Sequence, residues 1–174
     1  MKITPARLAL AFPFPVALIT GCTEQSADNG ARDGAPIEAG GSAHDAFFAA
    51  LSTHCGNAYA GELVSDDSAD AEFVGAPMVM HVSECSEDRI AVPFHVRIKD
   101  EWGRSPTWIF TRTEQGLRLK HDHRHEDGSS DTVTMYGGDT RDAGTTRAQD
   151  FPVDDFSVAM FEHEDLAASV TNVW

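Results

Sequence analysis

Positive charge is scarce in this chain. Its 174 residues carry 13 Lys and Arg against 28 Asp and Glu, for a formal net charge of -15. A phosphate backbone must be met by clustered cations, and here the basic residues are scattered among acids, so nucleic acid is excluded as a partner. An apolar run long enough to cross a bilayer is also lacking. The stretch from Leu8 to Ile19 is short of the about 20 residues a helical span needs, and Pro13 and Pro15 interrupt it. The motifs that would announce a reaction are missing as well: there is no GxSxG, no phosphate-cradling glycine loop, no HExxH and no GxGxxG. Internal repeats and long charge blocks are absent. The length suits one domain with a core of its own plus appendages.

What is present begins with an address. Lys2 and Arg7 precede the Leu8 to Ile19 run in the layout of a secretory signal covering residues 1–21. The run ends Leu18-Ile19-Thr20-Gly21-Cys22, which resembles the bacterial lipobox, where an aliphatic residue and two small ones precede the cysteine that is acylated and becomes the new N-terminus. The expectation is a lipoprotein attached to the membrane through Cys22. Thr23 rather than Asp follows the cysteine, which points to the outer membrane, facing the periplasm, with secretion as the alternative. Residues 22–41 hold almost no large apolar side chains and read as a linker; a flexible chain of that length reaches about 24 Å.

Only three cysteines are present. With Cys22 lipidated, Cys55 and Cys85 form an even pair in an oxidising compartment, and a disulfide between them is predicted.

Residues 42–174 read as a β-rich globular domain. A helix is predicted from Ser42 to His54, with Ser42 as N-cap and Phe47 and Leu51 on one face. The period then changes. Tyr59–Val64, Ala76–Glu84, Arg89–Lys99, Thr107–Thr113, Leu117–Glu126, Thr132–Tyr136, Ser157–Phe161 and Ser169–Trp174 read as strands. Pro93 within the third of these calls for an edge position or a bulge. Tight-turn signals, Gly137-Gly138 among them, separate the runs. The expected fold is mainly β: an antiparallel meander, closed or partly closed into a calycin-like barrel, after one short helix. A sandwich is the alternative.

The richest chemistry lies in Leu117-Arg118-Leu119-Lys120-His121-Asp122-His123-Arg124-His125-Glu126. As a strand this segment puts His121, His123 and His125 on the face of Leu117 and Leu119. Neutral imidazoles so placed are candidate ligands for Zn, Cu or Ni, with His81 and His95 as further ligands from other strands. The alternative is a strand end running from buried leucines into solvated surface. The cupin pattern does not fit, because only Arg124 and His125 separate His123 from Glu126 and no second histidine motif follows.

Pro93-Phe94-His95-Val96, Thr107-Trp108, Leu119 to Ser129, Tyr136 to Thr140 and Val170 to Trp174 together resemble an uncharacterised family of bacterial secreted or lipoprotein-type proteins, over roughly residues 45 to 174. The resemblance implies an exported domain and brings no activity, ligand or catalytic residue. Family chains have a shorter turn before Thr107-Trp108 and continue beyond the final Trp; if this chain is a truncated form of such a protein rather than one with a natural end here, a closing strand is missing. Two functions are therefore expected to compete. One is a non-enzymatic lipoprotein that binds a small apolar ligand or supports the envelope. The other is a metal-binding protein or metallohydrolase built on the histidine strand.

Overall fold

The structure is a computed structural model that describes residues 41–66, 68–103 and 106–174. The signal segment, Cys22 and the linker up to residue 40 lie outside the described residues. None of the helices described is long and apolar enough to cross a membrane.

Helix α1, Ala43–Ser52, opens as predicted. The Ser42 hydroxyl accepts from the Asp45 N–H while the Asp45 carboxylate accepts from the Ser42 N–H, closing a capping box. The other Asp45 oxygen pairs with Arg112, whose guanidinium lies over the Phe48 ring. The helix stops at Thr53, and Gly56, at φ 82°, turns the chain so that its N–H reaches the Val82 carbonyl.

Among the described residues, eight strands follow in one antiparallel sheet: β1 Ala58–Gly61, β2 Met78–His81, β3 Glu84–Cys85, β4 Arg89–Ile98, β5 Glu101–Gly103, β6 Thr107–Thr113, β7 Gly116–Asp122 and β8 Tyr136–Asp139. Their spatial order β1-β2-β4-β6-β7-β8 follows the sequence, with β3 and β5 also on β4, so the predicted meander is observed as a sheet that does not close. The long β4 is its spine. Met80 pairs with Phe94 and Glu84 with Ala91, so three residues, His81 to Ser83, stand opposite Val92 and Pro93. That is a β-bulge, sited where proline has no N–H to give.

The core lies on one face of β4, β6 and β7. Ile90, Val92, Leu117 and Leu119 pack with Val82, Phe48 of α1 and Phe151. A second cluster, Tyr136, Val153 and Phe161, continues the core toward the C-terminal segment and shares Trp108 and Trp174 with the first.

Four segments depart from the predicted strands. Residues Ser157–Phe161 belong to a helix, α2, Asp155–His163, whose N-cap Asp154 accepts from the Ser157 N–H. A five-residue apolar run carries no periodicity that separates helix from strand, and the cap decides. Ser169–Trp174 begins in a short 3-10 turn, Ala167–Ser169, and keeps one bridge, Pro152 to Val173. Thr132–Tyr136 is loop up to Tyr136, where β8 starts. Gly137-Gly138, read as a turn, lies inside that strand. The histidine strand ends at Asp122, before His123 and His125.

Candidate functional site

Antiparallel pairing sets Val92 beside Trp108, Trp108 beside His121, and His121 beside Tyr136. These four side chains form one row across β4, β6, β7 and β8, on the core face. The next row, Ile90, Phe110, Leu119 and Gly138, is apolar throughout, so His121 is the first polar group met on leaving the core. Its ring lies 4.3 Å from that of Trp108 and 4.7 Å from that of Tyr136, centroid to centroid. Only 8% of the residue is exposed, and its Nδ1 has no hydrogen-bond partner among the described residues.

Such a ring is held neutral. Burial, reinforced by His123 and opposed by Asp122, lowers the His121 pKa to about 4. Burial also pushes the Tyr136 phenol well above its usual range.

His123 lies just past the strand and stacks on His121, with centroids 6.0 Å apart and planes 14° from parallel. Its Nδ1 is 3.3 Å from Asp131. Around it the 123–135 loop folds back: Thr134 accepts from the His123 N–H, Asp131 donates its N–H to the His123 carbonyl, and Met135 donates to the His121 carbonyl at 2.7 Å. The Asp131 carboxylate is held below its usual pKa, first by the Val133 N–H and then by His123 and His125. His125 is exposed within the loop.

Of the five histidines expected as ligands, the structure therefore brings two together, and as stacked plates. Near-parallel rings one above the other do not aim their lone pairs at a common point. His81 and His95 sit on β2 and β4, and His81 faces Ala58 across the strand pair. Among the described residues no group of three or more His, Cys, Asp or Glu could hold a metal ion. His121 is buried on β7, His123 is half-buried just past the strand and His125 is exposed in the loop.

The Cys55–Cys85 disulfide is present and ties the end of α1 to β3. Two open polar grooves are described. One, of 320 Å³, lies between the N-terminus of α1 and the β6–β7 turn, and the other, of 210 Å³, lies beside Asp139, Arg141 and Asp154. Neither is an enclosed apolar chamber. Sequence reasoning missed Asp131 and Thr134, which fix His123, and Asp154, which caps α2 while pairing with Lys120 across from β7. Asp154 alone gave a readable sign, as a capping type three residues before Ser157.

The chain matches no protein-family model, no curated protein and no solved structure.

Proposed function

We propose that the chain is a bacterial lipoprotein, tethered through Cys22 to the outer membrane on its periplasmic side, whose β domain works by surface contacts as an envelope support or binding module rather than as an enzyme. The Cys55–Cys85 disulfide is the observation that carries this reading. It suits an oxidising compartment and leaves Cys22, at the end of Leu18-Ile19-Thr20-Gly21, as the third cysteine. A core filled by Phe48, Val82, Leu117, Leu119 and Phe151 favours contacts made by the surface over ligands held inside. The acidic surface favours a cationic or neutral partner.

The test is expression of the full chain in a double-membraned bacterium, with mass spectrometry of its N-terminal peptide. A diacylglyceryl-modified, acylated Cys22 and outer-membrane fractionation are expected, with both lost in Cys22→Ala. An unmodified chain that keeps residues 1–21 and stays in the cytosol would overturn the reading.

A further inference from the structure

His121 occupies a place where a neutral ring fits and a charged one does not. Protonation puts an N–H on both ring nitrogens. Nδ1 is buried with no hydrogen-bond partner among the described residues, so an N–H added there is left unsatisfied between the Trp108 and Tyr136 rings, which stand tilted by 35° and 56° to the imidazole. The groups around it are few. On its own strand, Asp122 favours the charged form; from the loop, the stacked His123 opposes it, with Asp131 behind that ring. β6 contributes Trp108 and β8 contributes Tyr136, while α2 and the C-terminal segment reach Tyr136 through the rings of Phe161 and Trp174, which carry no titrating group. Lys120 and Asp154 pair with each other, and Lys120, next to His121 along the strand, points to the opposite face.

The same strand end anchors the 123–135 loop. Its fastenings are the Met135 bond to the His121 carbonyl, the Asp131 and Thr134 bonds to His123, and Val133 packed on the cluster of Tyr136. We propose that His121 is an acid-operated latch: when the buried ring takes a proton from solvent it leaves the aromatic row, unfastens the 123–135 loop and uncovers Trp108 and Tyr136. The rest of the sheet keeps its pairing, because the row of Ile90, Phe110 and Leu119 contains no titratable group. The latch goes beyond the proposed function and does not depend on where the chain resides.

Hydrogen exchange on the full chain, corrected for the intrinsic effect of pH, tests this. Protection of the Met135 and Asp131 amides is expected to fall about tenfold or more between about pH 7 and about pH 4.5, while the amides of β4 and β6 stay protected. In His121→Phe, which fills the space without a titrating group, the loop should stay protected at both values. Unchanged protection in the wild type, an equal fall in His121→Phe, or simultaneous loss of β4 and β6 would each overturn the proposal. Should His121→Phe not fold, a proton NMR titration of the wild-type histidines decides: a His121 ring that titrates well below the other rings, in step with loop opening, supports the latch, and one that titrates with them refutes it.

Discussion

At the scale of single residues, the molecule concentrates its unusual chemistry in one imidazole. The unfolded chain protonates His121 near the ordinary histidine value of 6.5, whereas the folded chain resists protonation down to about 4. Between those values the unfolded state binds more protons, so stability is complete above about pH 6.5 and declines as pH falls toward 4. The full loss is on the order of 3 kcal/mol. Urea midpoints measured across this range should fall with acid in the wild type and fall less in His121→Phe; a flat wild-type profile would contradict the burial argument. The face on which His121 lies was legible, because Leu117, Leu119 and His121 alternate. Its depth was not, since that depends on Trp108 and Tyr136 arriving from two other strands.

At the scale of elements, two close approaches hold the C-terminal part to the sheet. β8 runs as Tyr136-Gly137-Gly138-Asp139, and a Cβ on Gly138 would overlap the Pro152 carbonyl, just as one on Gly137 would overlap that of Leu119. Gly138 is there for contact, and Gly137, at φ 151°, also holds a backbone conformation that side chains rarely adopt; neither makes the turn that composition alone suggested. Gly138→Ala should force Pro152 away from β8 and lower the melting temperature by well over about 5 °C, readable by circular dichroism. A change of a degree would show that the approach relaxes easily. Helix α2 rests on Asp154, whose carboxylate accepts from both the N–H and the hydroxyl of Ser157 and pairs with Lys120. Burial opposes ionisation of that carboxyl, but Lys120 and Ser157 outweigh it and keep its pKa below the usual value. Asp154→Ala removes the cap and leaves Lys120, with 13% of its side chain exposed, without its carboxylate. A loss of about 2 to 4 kcal/mol in chemical denaturation is expected. Lys120→Met combined with Asp154→Asn should recover part of it.

At the scale of the whole molecule, an open meander with two edges depends on what is packed onto its one apolar face. Helix α1 covers Ile90 of β4, Phe110 of β6 and Leu117 and Leu119 of β7 from one end, through Phe47, Phe48 and Leu51, and the segment from Phe151 to Trp174 covers the remainder. The disulfide links that helix to β3 across 30 residues. Because Gly56, Asn57 and Arg112 also hold the helix in place, Cys55→Ala with Cys85→Ala should leave the fold intact while lowering its stability by about 3 to 4 kcal/mol. Circular dichroism spectra unlike those of the wild type would show instead that the cross-link organises the fold.

Local chemistry in the sequence was enough to determine the Ser42 cap, the run of β4 with a bulge opposite Pro93 and the pairing of Cys55 with Cys85, and it pointed to a meander. Each follows from neighbours along the chain or from counting, and needs no knowledge of what lies across a gap in space. Only the tertiary structure decided that His121 is sealed between Trp108 and Tyr136 while His125 is left in solvent, and that Gly137 and Gly138 lie inside a strand. Those outcomes depend on contacts between residues far apart in sequence, where burial and close packing override the preference of any short segment.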